Sequence, residues 1–300
     1  MDEYHGKWLD QPKTVLFTVA DAIATITLNR PEKRNALGGE MLAELHAAML
    51  EADDRTDVNC IVLAGAGKDF CAGYDLVGAY AGKGEDGVEQ HSYRSTNATL
   101  DDDSWALERS QALSTIMFDL HKPVIAKVHG NCLAGGTDLA LGCDMVIASN
   151  EAKIGFPATR ANGCPPNHMW VYHCGPQWAK RMLFTGDTLS GADAASIGLV
   201  LDSVPADELD AEVAALAARV AAVDSELLWA HKRIVNIALE QMGAKTLQRH
   251  AAENDARAHL ARGPRRTQFR ADMAEHGMKV ALQNRDAPFG DGRITIKRPR

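Results

Sequence analysis

Two glycine-bearing turns constrain this chain more than any other feature. The first is Lys68-Asp69-Phe70-Cys71-Ala72-Gly73-Tyr74-Asp75-Leu76. The second is His129-Gly130-Asn131-Cys132-Leu133-Ala134-Gly135-Gly136-Thr137-Asp138. An apolar, β-branched run precedes each one, Cys60-Ile61-Val62-Leu63 and Pro123-Val124-Ile125-Ala126-Lys127-Val128, and each leads into a stretch that reads as helix. The repeated strand–turn–helix order predicts an α/β fold. Two such turns can also aim two free backbone N–H groups at one point, which is the geometry of an oxyanion hole. Gly135 has no Cβ and allows close backbone approach, and a helix starting there adds its positive dipole end. Glycines between strand and helix also serve a purely conformational need, so either turn alone is ambiguous.

Composition narrows the function classes. The chain has 300 residues, 46% of them hydrophobic and 24% charged, as in an ordinary globular protein rather than a disordered one. A formal charge of −8 argues against nucleic acid as the main partner. The polar N-terminal segment Met1-Asp2-Glu3-Tyr4-His5-Gly6 lacks the apolar core of a signal peptide, and no run reaches bilayer length. Cys60, Cys71, Cys132, Cys143, Cys164 and Cys174 show no C-x-x-C spacing. Together these predict a cytoplasmic protein with reduced, buried cysteines.

Along the chain, Thr14 to Ala20 and Ile23 to Asn29 alternate as a β-hairpin around Asp21-Ala22. Glu40 to Ala52 has helical periodicity, and Val58 to Ala64 reads as a buried strand. Gly78 to Asp103 is polar and glycine-rich and predicts a long loop or lid, its acidic run Asp101-Asp102-Asp103 preceding a helix from Ser104 to Leu120. Phe156 to Pro176 reads as irregular, followed by a helix from Gln177 to Phe184. Ser190-Gly191-Ala192-Asp193 fits a capping box, and Gly198 ends the helix it opens. After Pro205, helices are expected at about 207–223, 225–240, 245–261 and 267–282. The domain reading is a core over 1–205, a helical oligomerisation domain over 206–263, and a C-terminal helix with a basic tail over 264–300. The basic residues of that last segment, among them Arg265, Arg266, Arg270 and Arg285, read as a solvated tail.

Several familiar sites are absent. Gly65-Ala66-Gly67-Lys68 fails the phosphate-loop pattern, with Val62 and Asp69 at the required glycine and Ser/Thr places. No strand leads into G-x-G-x-x-G, and there is no G-x-S-x-G. The histidines and cysteines around 164–174 lack zinc spacing, so no metal is expected.

The ordered set of motifs resembles the crotonase superfamily, the enoyl-CoA hydratase/isomerase family. The stretches that carry the likeness are Leu28-Asn29-Arg30-Pro31-Glu32-Lys33-Arg34-Asn35-Ala36-Leu37, the turns at 68–76 and 129–138, Leu141-Gly142-Cys143-Asp144-Met145, and Leu183-Phe184-Thr185-Gly186-Asp187. They span roughly residues 14 to 205. The resemblance implies a spiral of β-β-α units with a C-terminal helical trimerisation domain. It implies an acyl-CoA substrate, no cofactor besides that thioester, a homotrimer or dimer of trimers, and a place in fatty acid metabolism.

Residue by residue, the resemblance puts the two oxyanion donors on the backbone N–H of Tyr74 and of Gly135. Lys33, Arg34, Ala36, Leu37, Ala72, Asp75 and Leu76 would lie along the CoA moiety. Asp138 stands where the family's hydratases have a glutamate that orients or activates water. Its other reading is a helix N-terminal aspartate, worth about 0.3–1 kcal/mol to its own helix. Ala158, in Phe156-Pro157-Ala158, stands where hydratases carry their second glutamate, and alanine transfers no proton. Arg160, Asn162, His168 and His173 are the nearby substitutes, with His168 foremost because imidazole titrates near neutral pH. Glu108 is a further candidate. The expected activity is that of an enoyl-CoA hydratase-like lyase. An isomerase, a thioester hydrolase or a catalytically weak CoA-binding protein remain the alternatives that Ala158 opens.

Overall fold

The apolar runs become the strands of a mixed sheet. In the computed structural model, which describes residues 4–76 and 99–296, β1 (Val15–Ala20) and β2 (Ile23–Leu28) form an antiparallel hairpin. Asp21 and Ala22 both have positive φ, 52° and 60°, the conformation that matches a two-residue hairpin to strand twist. Three parallel strands follow, β3 (Cys60–Gly65), β4 (Val124–Val128) and β6 (Met145–Ser149), and β9 (Asp202–Val204) closes the sheet in the order β1-β2-β3-β4-β6-β9. A smaller sheet contains β5 (Asn131–Leu133), β7 (Lys153–Gly155) and β8 (Thr188–Ser190) in the order β5-β7-β8.

Successive strand residues face opposite ways, so the parallel strands are covered on both sides. Ile61 and Leu63 of β3 join the main core with Met41, Leu45 and Met49 of α1 (Gly39–Asp54). Cys60 and Val62 face the other way, onto Leu209, Val213 and Ala217 of α6 (Leu209–Ala221). Each fully buried side chain of this size contributes roughly 1.5–3 kcal/mol.

The chain leaves β4 and enters β5 through Gly130, which bends from one sheet into the other. Its φ is 56°, and a Cβ there would overlap the Lys68 carbonyl of the first glycine turn. The two turns are thus pressed together at the corner where the sheets meet. The short helix α3 (Gly135–Ala140) starts immediately beyond it.

Some elements depart from expectation. The acidic run is not a loop: it forms the first turn of α2 (Leu100–Ser114), where three aspartates complement the helix dipole and Thr99 Oγ1 accepts the Asp102 N–H at 3.0 Å. The helix ends at Ser114 rather than Leu120, and a 3-10 turn follows at Ile116–Phe118. The remainder of the expected lid, with His91 and Tyr93, lies outside the described residues. α4 (Trp170–Thr185) begins seven residues before the expected Gln177 and is broken at Gly175, φ 72° and ψ 170°. Pro176 there has no N–H to continue the ladder, so the local sequence hides a helix that the burial of Trp170 holds in place. Ser190 caps α5 (Gly191–Ser196) as expected, its Oγ accepting the Asp193 N–H at 3.0 Å.

Helices α7 (Ser225–Gln241), α8 (Ala244–His259) and α9 (Pro264–Asp286) fold back over the core. Lys232 of α7 is buried and donates to the carbonyls of Met117 and Lys122 and to Asp144 Oδ2 at 2.8 Å. Gln111 of α2 donates to the Gln248 carbonyl of α8 at 2.7 Å. The arginines expected on a solvated tail are in part interior. Arg266 reaches the carbonyls of Ala161 and His259, and Arg285 Nη1 donates to Asn162 Oδ1 at 2.8 Å. Among the described residues no helix is long and apolar enough to cross a membrane.

Asn35 ties the loop at 30–37 to the first glycine turn. Its Oδ1 accepts the Arg30 N–H at 2.9 Å, and its Nδ2 donates to the carbonyls of Ala66, Asp69 and Phe70. It is fully buried with φ 54°, a conformation that Asn tolerates better than Ala. Asn35→Ala should lower stability by at least about 1–3 kcal/mol, read as a fall in urea midpoint with unchanged slope. Asn35→Gly, which accepts positive φ, should lose less; equal losses in both variants would place the whole effect in the hydrogen bonds.

Candidate active site

The first glycine turn is held on both edges by backbone pairing. On one side Ala72 N donates to the Arg34 carbonyl at 3.0 Å, Leu37 N to the Gly73 carbonyl at 2.8 Å, and Asp75 N to the Leu37 carbonyl at 2.9 Å. On the other side Phe70 N donates to the His129 carbonyl, Cys71 N to the Asn131 carbonyl, and Leu133 N to the Cys71 carbonyl. Neighbouring amides of an extended chain point to opposite sides, so with Asp75 N turned toward Leu37 the Tyr74 N–H points away from it. It points to the side of β5 and Gly135.

Close approach on that side needs glycine. Gly73 has φ 108°, and a Cβ there would sit 3.0 Å from Ala134 Cβ and 3.4 Å from the Gly135 nitrogen. A Cβ on Gly135 would meet Leu37 Cδ1 at 2.9 Å and the Tyr74 ring at 3.0 Å. Ala134 carries φ 48° and ψ −116°, a strained conformation for a residue with a side chain. Gly135 opens α3, so its N–H has no intrahelical acceptor. Among the described residues neither the Tyr74 N–H nor the Gly135 N–H donates a hydrogen bond. Two unspent donors thus stand on adjacent, rigid turns.

A cavity of about 550 Å³ opens beside them. Of the candidate site residues singled out in the sequence, Arg34, Ala72, Tyr74, Leu76, Ala158, Arg160 and Asn162 line it. Lys33, Ala36, Leu37 and Asp75 are not among the lining residues. Asp75 lies 3.3 Å from Arg30 Nη2 and 3.7 Å from Lys33 Nζ. The Ala36 carbonyl accepts from Arg30 Nη1 at 3.0 Å, and Leu37 pairs with Tyr74.

Asp138 is buried and is not part of the cavity lining. The Tyr74 hydroxyl donates to its Oδ2 at 2.9 Å, while its Oδ1 has no partner among the described residues. Burial pushes the Asp138 carboxyl well above the usual carboxylate range, against the lowering effect of the Tyr74 hydroxyl. The same burial, with the charge of Asp138 beside it, pushes the Tyr74 phenol up. The tyrosine ring therefore stands between Asp138 and the open space. Asp138, where the resemblance implies an acid, is thus connected to the cavity by the hydroxyl of the tyrosine that lines it.

The histidine expectation is corrected. His168 does not line the cavity. Its backbone N–H donates to Gln248 Oε1 at 2.8 Å, its Nδ1 is buried without a partner among the described residues, and burial pushes its pKa down. It is a packed histidine at the root of α8. His173 is likewise turned away, with Nε2 2.9 Å from the Leu141 carbonyl. Glu108 is not among the cavity-lining residues, although Leu107 and Gln111 of its helix are. Arg160 reaches the cavity but is committed to Asp187 at 3.0 Å and Asp286 at 3.1 Å.

Sequence reasoning missed a carboxylate and an imidazole that line the cavity together. Asp255 and His259 project from α8, one helical turn apart. Asp255 Oδ1 accepts the Cys164 N–H at 2.8 Å and lies 3.5 Å from His259 Nε2. His259 Nδ1 is 2.8 Å from Oδ2 of the buried Asp103. The available signal was the i, i+4 spacing of Asp255 and His259 on one helical face.

The chain is similar to known enoyl-CoA hydratases and isomerases. The family model described as Enoyl-CoA hydratase/isomerase matches residues 18–262. A hydroxycinnamoyl-CoA hydratase-lyase of Pseudomonas fluorescens is 33% identical over 215 residues, 70% of this chain and 71% of that protein. An enoyl-CoA hydratase structure from Mycobacterium smegmatis superposes with a TM-score of 0.84 at 38% identity, covering 93% of this chain and 94% of that one. An enoyl-CoA hydratase/isomerase from Xanthobacter autotrophicus Py2 gives 0.79 at 32% identity, covering 92% and 98%.

Asp138 gives a test through stability. Its folded pKa lies above the unfolded value near 3.8. Above that pH the native state keeps a proton that the unfolded state has released, so this group makes stability fall as pH rises. Asparagine does not titrate. Asp138→Asn should therefore gain on the wild type as pH is raised from about 4 to 7, at up to about 1.4 kcal/mol per pH unit. A difference in unfolding free energy that stays constant with pH would show that Asp138 titrates normally.

Proposed function

Because this chain belongs to the enoyl-CoA hydratase/isomerase family, we propose that it processes acyl-CoA thioesters through an enolate held by the backbone N–H groups of Tyr74 and Gly135. The observation that carries the reading is the pair of undonated amides on adjacent turns, where Tyr74 and Ala134, the neighbour of Gly135, line a cavity. When a nucleophile adds to the β-carbon of an enoyl thioester, or a base removes an α-proton, negative charge gathers on the thioester oxygen. Two preorganised donors at about 2.7–3.1 Å stabilise that charge more than the neutral carbonyl, and each is worth about 3 kcal/mol. The N-terminal end of α3 adds a favourable dipole.

The cationic loop at 30–37 suits the phosphates of CoA, with Lys33 and Arg34 as its charges and Ala36, Leu37, Ala72, Asp75 and Leu76 as the surface along the thioester arm. Asp138 acts on the acyl part through the Tyr74 hydroxyl. Hydration of an enoyl-CoA is the leading reaction. Isomerisation is the second reading, favoured by Ala158, because moving one proton along a chain needs a single carrier where two-carboxylate hydration needs two. We infer a cytoplasmic enzyme of fatty acid metabolism, a homotrimer or dimer of trimers, needing no cofactor beyond the thioester itself.

Gly73→Ala tests the donor pair, since its Cβ would wedge against Ala134 and the Gly135 nitrogen. With crotonyl-CoA and longer enoyl-CoAs as substrates, the variant should lose about 100- to 1,000-fold in kcat while CoA binding changes little. A wild type that binds CoA yet neither hydrates, isomerises nor hydrolyses any of a broad thioester panel would overturn the enzymatic reading.

A further inference from the structure

With alanine at 158, some other group has to carry a proton to and from the α-carbon. The Ala158 carbonyl accepts the N–H groups of Ala161, Asn162 and Gly163, at 3.2, 2.7 and 3.2 Å, so the chain curls tightly back on itself there. The curl brings Gly163 against α8. A Cβ on Gly163 would overlap Asp255 Oδ1 and would stand 3.3 Å from His259 Nε2. The space beside Ala158 is therefore approached by a carboxylate from a helix nearly a hundred residues further along the chain. Asp255 and His259 share the cavity with Tyr74 and Ala158, and the charge of Asp255 is felt at both Tyr74 and Asp138.

We propose that Asp255 is the proton carrier of this active site, with His259 and Asp103 as the positioning residues that hold its carboxylate. The proposal rests on the thioester-enolate reading above. In the hydration direction the Asp255 carboxylate takes a proton from the water whose oxygen bonds to the β-carbon. The Cα=Cβ electron pair moves to form the enolate, and its oxygen charge is taken up by the two amides. The Asp255 carboxyl then returns that proton to the α-carbon, where the enolate pair forms the C–H bond. One water is added, and the carboxylate is regenerated.

The surroundings suit both halves of that cycle. Asp255 is pushed up to about 6, chiefly by burial. His259 on its own helix, the Cys164 N–H from the loop and Arg266 from α9 pull it down, while Asp103 from α2 pushes it up. Across the site, Tyr74 and the buried Asp138 are the further titratable groups that feel its charge. A group titrating near neutral pH is an effective acid and base alike. The Asp103–His259 contact at 2.8 Å fixes the imidazole, so Nε2 faces Asp255 in one orientation.

The test uses the full chain and its Asp255→Asn, Asp255→Glu and His259→Gln variants. Three readouts are taken: crotonyl-CoA hydration, deuterium entry at C2 of butyryl-CoA in D2O, and CoA affinity. Asp255→Asn should lose at least about 100-fold in both hydration and exchange with CoA affinity nearly unchanged. Wild-type kcat/KM should fall below pH about 6, as the carboxylate is protonated. His259→Gln removes a lowering influence and should move that limb to higher pH, a shift that a merely structural role would not produce. Asp255→Glu should recover part of the loss, and it decides the question if the asparagine variant fails to fold. Hydration and exchange within about threefold of wild type in Asp255→Asn, or an unmoved acid limb in His259→Gln, would overturn the proposal while leaving the enolate reading intact. A wild type without turnover or exchange on any thioester would overturn both.

Discussion

Everything at the site depends on backbone pairing between two turns that lie some sixty residues apart in the chain. Phe70, Cys71 and Leu133 contribute the amides, and His129, Asn131 and Cys71 the carbonyls. The Asp69 carboxylate fastens the same seam by accepting both the backbone and side-chain N–H groups of Asn131. The contact is close because Gly73, Gly130 and Gly136 have no Cβ to hold the strands apart. Once this seam forms, the direction of the Tyr74 N–H is fixed by strand alternation and that of the Gly135 N–H by the start of a helix. No side chain has to be positioned to create the pair of donors.

The site concentrates features that are unfavourable to folding. Ala134 is strained, and among the described residues one oxygen of the buried Asp138 carboxyl and the buried His168 Nδ1 have no partner. Each destabilises by roughly 1–3 kcal/mol, and the two-sided core around β3 and β4 supplies the stability that tolerates them. Burial also drives the electrostatics. It raises Asp138, behind Tyr74, well above the usual carboxylate range and lifts Asp255 into the range where it can both take and give a proton. Two aspartates of the same intrinsic acidity are separated by their surroundings: one is closed off by a phenol, and the other opens onto the cavity.

The C-terminal helices are more than an addition to the α/β core. α8 lies along α2 and supplies Asp255 and His259 to the cavity wall, and α9 brings Arg266 and Arg285 under the loop at 161–163. The basic residues that look like a solvated tail in the sequence are half interior for this reason. Arginine is tolerated there because backbone carbonyls at 161, 162 and 259 accept its fork of N–H groups.

The amino-acid order was sufficient for the parts whose signals are local. The alternation of the hairpin, the buried runs of β3 and β4, the capping box at Ser190 and the glycine-bearing turns all act through nearest neighbours in the chain. They place the family, the sheet and the two turns that carry Tyr74 and Gly135. The helix begun at Trp170 was hidden because Gly175 and Pro176 break its local pattern, and only the burial of Trp170 restores it. What tertiary structure alone decided is which charged groups share a cavity. His168 stands close to Ala158 in the chain yet packs away from the open space, whereas Asp255 is distant in sequence and reaches it. Side-chain direction and helix docking set that outcome, and they are fixed by the packing of α8 against α2 rather than by any residue's own preference.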